Sequence, residues 1–388
     1  MVTTTRTTGA ARPRLIRTLN EQLLLGRMRA NGPVSRSELA RDSGLSKPTV
    51  GLALASLERD GLVQAAGRRA GSRGRTAVLY EIRRDAGFVL GLDVGREFVR
   101  GAVADLSGMI RTRESRTTRS SSGTGRVREL AELADDLLHD AAVDVHRALL
   151  QTVVGSPGVV EPHGRALRLA PNLPGWERPA VLRDLRRLPG SETAIENDVD
   201  AAAVAERDHG HGRDVSTFAF VSVGTGIGMG LILDGKLHRG AHGAAGEIAF
   251  LPLADGALEF AVSSAAVVRA ARERGVRLRS ARGVFAAAAD GEPHAREIVA
   301  GEAAVVAHAL AAIVAVVDPE LIVLGGGIGR APGFAEEVAH ELSRLAPVVP
   351  EVRPSALGED AVVDGCLAVG SDRLWEHVLN SRLTDGTL

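Results

Sequence analysis

Apolar residues recur at helical spacing near the start of the chain. Leu15, Leu19 and Leu23 stand four apart with Ile16 and Leu24 beside them, which predicts one apolar helical face. Ser35 and Glu38 have the spacing of a capping box and open a short helix, which ends near Gly44, where a left-handed cap costs little. Ser46 caps a third helix, with Pro48 tolerated in its first turn and Val50, Leu54 and Leu57 on one face. Two short helices joined by DSGLS form a helix-turn-helix pattern. Gly51 is an irregularity, because glycine inside a helix costs about 1 kcal/mol relative to alanine. Gly61 ends the third helix, LVQAA and VLYEI read as two strands, and the Gly/Arg-rich GRRAGSRGRT between them reads as a wing.

From Ala86 the pattern changes to apolar strands, Gly-rich turns and Ala-rich helices. FVLGLDVG and FVRGAVADLSG predict two strands around a tight turn, and residues 126–150 carry Leu130, Ala134, Leu137, Ala141 and Val145 at helical spacing. QTVVGSPGVV returns as a strand. Residues 217–235 repeat the opening theme, with TFAFVSVG running into GTGIGMGLILDG, and PELIVLGGG follows a helix rich in Ala and Val. Two strand-turn-strand units predict a two-lobed α/β body with its ligand cleft between the lobes.

Length and composition narrow the class. At 388 residues, 45% hydrophobic and 24% charged, the chain reads as a globular protein of two or three domains. No stretch approaches the roughly 18 unbroken apolar residues of a membrane helix, and the start MVTTTRTTGAARPR lacks the apolar core of a signal peptide. A cytoplasmic location without a membrane partner is the expectation. The single cysteine, Cys366, excludes an internal disulfide and a multi-cysteine zinc site.

Charge is unevenly divided. Residues 1–84 carry 16 Arg or Lys against 6 Asp or Glu, whereas the remainder carries 31 against 42. A basic head on an acidic body suits a polyanion partner. Lys47, Pro48 and Thr49 at the exposed start of the third helix suit a major groove, and Arg68, Arg69, Arg73 and Arg75 on the wing suit phosphates or a narrow minor groove. A helical protein-interaction module is the competing reading of the same helices. The caps, the wing and the basic excess together favour double-stranded DNA.

SRSELARDSGLSKPTV, NLPGW, ENDVDAAAVAE, GTGIGMGLILDGKLHRGAHGAAGEI, DPELIVLGGGIG and ALGED, in this order, resemble the ROK family of repressors and sugar kinases, and specifically its winged-helix regulators. The resemblance spans about Leu15 to Leu379. It implies a winged helix-turn-helix over residues 1–84 and a two-lobed actin-like, sugar-kinase-like domain over 85–388. Lobe one would take about 85–200 plus a C-terminal helix at about 372–388, and lobe two about 201–371.

The resemblance also assigns candidate residues. Asp198 stands at the family's general-base position, and Gly158, Asn172, Asn197, Glu247 and Glu259 at its sugar contacts. Asp93, Gly95, Gly224, Thr225, Gly226, Gly326 and Gly327 match its nucleotide turns, but Arg96 and Glu97 replace the second Gly and the Thr of the first turn. Added bulk and negative charge there oppose ATP phosphates. The family's zinc site is absent, because Phe250 stands where His would bind and no cysteines follow; His238 and His242 alone do not replace it. No cofactor is expected.

The resulting expectation is a DNA-binding transcriptional regulator, a repressor, whose degenerate kinase body senses a sugar or related molecule as a homodimer or dimer of dimers. Two alternatives remain open at this point: an ATP-dependent sugar kinase with a DNA-binding head, and a regulator with an empty cleft that answers to a protein partner.

Overall fold

The computed structural model describes residues 11–70, 76–145, 148–162, 165–171, 173–253 and 256–384. Arg73, Arg75 and Asn172 lie outside them.

The head comprises α1 (Ala11–Asn31), β1 (Val34–Ser35), α2 (Arg36–Ser43), α3 (Lys47–Arg59), β2 (Val63–Ala70) and β3 (Thr76–Ile82). The capping box is reciprocal: Glu38 N–H donates to Ser35 Oγ at 3.2 Å, and Ser35 N–H donates to Glu38 Oε2 at 2.8 Å. Val50, Leu54 and Leu57 are fully buried. A Cβ at Gly51 would make only ordinary contact, 3.7 Å from Arg36 Nη1, so packing does not demand glycine there; that guanidinium reaches the Tyr80 hydroxyl at 3.2 Å. Two expectations change. The buried face of α1 runs through Thr18, Glu21, Leu24, Leu25 and Met28, while Leu15, Ile16, Leu19 and Leu23 are exposed, so the four-residue leucine spacing marks a different face from the one that packs on the head's core. Strand β2 extends to Ala70 with Arg68 opposite Val78 and Arg69 opposite Ala77, so these two arginines lie on a strand and not in a loop.

In lobe one, β4 (Gly87–Val94), β5 (Phe98–Asp105) and β6 (Ile110–Thr117) form an antiparallel meander, followed by α4 (Gly123–Asp140), β7 (Leu149–Ser156), the short pair β8 (Val159–Val160) and β9 (Leu167–Arg168), α5 (Pro179–Leu185) and β10 (Glu192–Asn197). The sheet order is β10-β7-β4-β5-β6, with β7 and β10 parallel to β4. Helix α4 is shorter than its spacing predicted: it ends at Asp140, Ala142 turns to a left-handed φ of 53°, and Val145 is exposed.

Helix α6 (Asp198–His209) crosses to lobe two, where β11 (Phe218–Val223), β12 (Ile227–Leu233) and β13 (Lys236–Leu237) repeat the meander. After the hairpin β14 (Pro252–Leu253) and β15 (Gly256–Ala257) come α7 (Leu258–Ala261), α8 (Ser264–Glu273), α9 (Ala281–Ala289), α10 (Pro293–Val317), β16 (Leu321–Gly325), α11 (Gly326–Gly329), α12 (Phe334–Ser343) and β17 (Glu351–Pro354). The order β13-β12-β11-β16-β17 reproduces lobe one's plan of three antiparallel and two parallel additions. The two turns that close the meanders, at Gly95 and at Gly224, therefore face one cleft. Helix α10 comes nearer to a membrane span than the sequence reading allowed, being long and apolar enough by length and composition. Its Ala303, Val306, Ala307 and Leu310 are fully buried in the core of lobe two.

The last helix, α13 (Ala361–Thr384), begins well before the expected residue 372. Gly365 and Gly370 lower its helix propensity and hide its first turns from the sequence. Packing explains them. A Cβ at Gly365 would stand 1.8 Å from the Ala201 carbonyl of α6, and one at Gly370 would stand 2.3 Å from Val89 Cγ1 of β4. Strand β4 is buried along its whole length, with Phe88, Leu90 and Leu92 toward α4 and Val89 toward α13. Cys366 is buried against Leu92, its Sγ 3.5 Å from that carbonyl, and burial pushes its thiol pKa well up.

The far end of α13 closes the head. Leu374, Trp375 and Val378 share one apolar cluster with Leu24, Leu25, Met28, Leu54 and Leu57. Arg29 lies 5.4 Å from the Trp375 ring centroid and 3.3 Å from Asp372, and Gln22 donates to the Leu379 carbonyl at 3.0 Å. Overpacking a close helix crossing costs about 1 to 3 kcal/mol. Gly365→Ala is accordingly expected to lose roughly 2 kcal/mol or more in urea unfolding, and an unchanged midpoint would contradict the crossing.

Candidate functional site

Two surfaces carry the candidate residues. On the head, α2 and α3 form the helix-turn-helix, and Lys47 and Pro48 are exposed at the start of α3. Thr49 is half-buried, with its hydroxyl 2.8 Å from Ser46 Oγ, so it serves the cap. Arg69 Nη1 sits 3.0 Å from Glu38 Oε1, whose pKa is held low chiefly by the Ser35 hydrogen bonds. That pair restrains Arg69, whereas Arg68 is exposed on the same strand.

The second surface is a cavity of about 460 Å³ between the lobes, lined by residues of both. Asp93, Gly95, Gly158, Asn197, Asp198, Gly224, Thr225, Gly226, Glu247, Glu259, Gly326 and Gly327 all line it. Asn197 holds its floor. Its Oδ1 accepts from the Val199 and Asp200 N–H groups at 2.9 Å, which caps α6, and its Nδ2 donates to the Gly158 carbonyl at 3.0 Å. Most of its hydrogen-bonding capacity is thus committed to positioning Asp198 and Gly158.

Asp198 is enclosed and its pKa is raised to about 7, first by burial, then by the neighbouring Asp93 charge, with the Val199 N–H opposing. Burial also raises Glu247, with Glu259 adding like-charge repulsion. Carboxylates are acceptors, so this side of the cleft matches a neutral ligand rich in hydroxyl donors. Sequence reasoning missed what holds the loop that carries Glu247. Arg239 pairs with the buried Glu196 of β10, its Nε 3.0 Å from Oε1, and its carbonyl accepts from Ala245 N–H at 3.1 Å.

Arg96, Arg100 and Arg330 also line the cavity, together with Asp93, Glu97 and Glu359. Arg100 was not singled out from sequence. Its Nη1 lies 3.3 Å from Asp93 Oδ2 and its Nη2 lies 3.0 Å from Glu359 Oε2, in the turn Gly358–Asp360 that leads into α13. Burial nevertheless outweighs Arg100 and raises Asp93 to about 6. The signal was present in the sequence, because a tight turn after β4 makes Asp93 and Arg100 direct cross-strand partners. Arg113 of β6 adds a second tie, 2.9 Å from Asp360 and paired with Asp364.

The glycine turns have structural work of their own. Gly326 has φ of 75°, and a Cβ there would lie 2.4 Å from the Val223 carbonyl. The Gly224 carbonyl accepts from the Ser264 amide at 2.7 Å and its hydroxyl at 2.9 Å. A zinc ion does not fit the Glu247–Phe250 turn. Phe250 offers no donor, and among the described residues no group of three or more His, Cys, Asp or Glu is placed to hold a metal.

Comparison with known proteins agrees with this architecture. The ROK family model matches residues 89–373, and a winged helix-turn-helix DNA-binding model matches residues 18–64. The xylose repressor of Caldicellulosiruptor bescii is 26% identical over 92% of this chain and 96% of its own. The bifunctional enzyme NanE/NanK of Brucella melitensis is 39% identical over 35% of this chain, but the match spans only 27% of that enzyme. Among solved structures, a ROK family transcriptional regulator, a homolog of the E. coli MLC protein, superposes with a TM-score of 0.76 at 22% identity, covering 95% of this chain and 99% of that one.

The raised carboxyl of Asp198 generates a pH prediction. An acid with an ordinary value of 3.8 and a folded value of about 7 leaves the fold unpenalised below the first and penalised fully above the second. Asp198→Asn removes that penalty, so its stability relative to wild type is expected to rise by roughly 1 to 3 kcal/mol between pH 4 and pH 8. A pH-independent difference in thermal unfolding would contradict the assigned burial.

Proposed function

Because this chain belongs to the ROK family, we propose that it is a transcriptional repressor whose winged head binds an operator and whose kinase-like cleft senses a sugar without phosphorylating it. The observation that carries the sensing part of this reading is Arg100. Its guanidinium holds Asp93, which opens the phosphate turn, and ties it to Glu359 at the root of α13. A Mg-nucleotide would have to displace that ion pair and lie beside Glu97, an added negative charge. The sugar side keeps its acceptors in Asp198, Glu247 and Glu259. Selection of a hydroxyl-rich ligand and transfer of phosphate have therefore become separable.

Lys47, Pro48 and Arg68 are the proposed DNA contacts, joined by Arg69 once Glu38 releases it. Paired heads of a homodimer would read paired half-sites. Ligand enclosure moves lobe two against lobe one, and α13 carries the motion from Glu359 to Trp375. A coupling of about 1 to 3 kcal/mol would change operator affinity roughly 5- to 150-fold. The relative's name makes xylose the first sugar to test. The kinase reading has one observation in its favour, since a carboxyl raised to about 7 suits a general base.

Thermal shift with xylose and other neutral sugars, with and without Mg-ATP, identifies the effector, and operator titration follows. Asp198→Asn is expected to weaken sugar binding about tenfold or more while leaving sugar-free operator affinity within about twofold. Sugar-dependent ATP hydrolysis at roughly 1 to 100 per second would support the kinase instead.

A further inference from the structure

The exposed face of α3 is unusual for a helix that enters DNA. Val50, Ala53, Leu54 and Leu57 are buried in the head. The residues of α3 left exposed are Lys47, Pro48, Leu52, Ala55, Glu58 and Arg59. Leu52 is 73% exposed, with Pro48 four residues before it and Ala55 three after it, so the three form one apolar strip. Cations stand at both ends of the strip, Lys47 and Arg59, about 18 Å apart along a helix that rises about 1.5 Å per residue.

Charge complementarity limits what can cover the strip. Its flanking cations belong to a head with 16 basic against 6 acidic residues, and the surface suits a polyanion wall on either side of an apolar floor. A major groove about 12 Å wide offers phosphates on both rims, and the only apolar group on its floor is the C5 methyl of thymine. Polar readers of base edges are sparse on this face. Thr49 is spent on the Ser46 cap, and no Asn or Gln lies on α3. Recognition of adenine by a bidentate amide is thus not available to this helix.

Resting on the DNA-binding reading of the head, we propose that Leu52 reads the C5 methyl group of a thymine in the major groove, with Ala55 and Pro48 closing around it. Lys47 and Arg59 hold the backbone on either side. Sequence preference of this helix is then set by where methyl groups stand more than by hydrogen-bond patterns.

The test uses the full chain and synthetic duplexes. A random-sequence duplex pool is enriched on the wild-type chain, and the enriched duplex is remade with deoxyuridine replacing thymine one position at a time, which removes only the methyl. Wild type is expected to lose about three- to tenfold in affinity at one or two positions. Leu52→Ala is expected to bind the thymine duplex more weakly and to lose the thymine-to-uracil difference at one of those positions, while Lys47→Ala keeps that difference. Leu52 is exposed and alanine is the better helix former, so the variant's melting temperature should match wild type. The proposal is overturned if no thymine position discriminates, or if Leu52→Ala keeps the full discrimination of wild type. Failure of the pool to yield any bound duplex would instead overturn the DNA-binding reading itself.

Discussion

Helix α13 is the constraint on which the rest of the molecule depends. Its N-terminal end is held at the cleft by Arg100 and Arg113, through Glu359, Asp360 and Asp364. Its middle lies across β4, β7 and α6, where small residues permit backbone contact. Its C-terminal end supplies Leu374, Trp375 and Val378 to the core of the head. Interfaces between domains of one chain are usually polar and permit independent motion. Here one apolar cluster continues from the recognition helix to the sheet of lobe one, so the head packs directly on the body.

The charge pattern of the cleft follows from the same arrangement. Repetition of one meander in both lobes brings two turns to a single cavity, but the turns now differ in chemistry. Asp198, Glu247 and Glu259 keep an acceptor-rich wall, and burial raises the carboxyl pKa of Asp198 and Glu247. Arg100 reaches across from the neighbouring strand to pair with Asp93. One guanidinium therefore joins a carboxylate of the cleft to the root of α13. The cleft and the head thus share α13, whose start lines the cavity and whose end packs in the head's core.

Much of this was legible in the sequence, and the exceptions have particular causes. The Ser35–Glu38 box, the Ser46 cap and the Val50, Leu54, Leu57 face could be read because caps and helical spacing are local signals. The two meanders could be read from alternation and glycine turns. Leu15 and Leu19 misled because spacing marks an apolar face without saying whether a core lies beneath it. The start of α13 was hidden by Gly365 and Gly370, whose presence answers to Ala201 and Val89 far away in sequence. Strand β6 has charged residues throughout, as an edge strand tolerates, and shows no apolar alternation. Arg100 escaped notice because its importance lies in two partners, one across a turn and one 259 positions away. Asn197 was expected to contact a sugar, whereas in the structure its side chain chiefly supports its neighbours.

The central claim is that the cleft reaches the head through α13. Amide hydrogen exchange along the whole chain, with and without the sugar that binds the cleft, tests it most directly. Changed protection in residues 361–384 and in α1, alongside that at Asp198 and Glu247, is the result this account predicts. Changes confined to the residues lining the cleft, with α13 and the head unaltered, would contradict it.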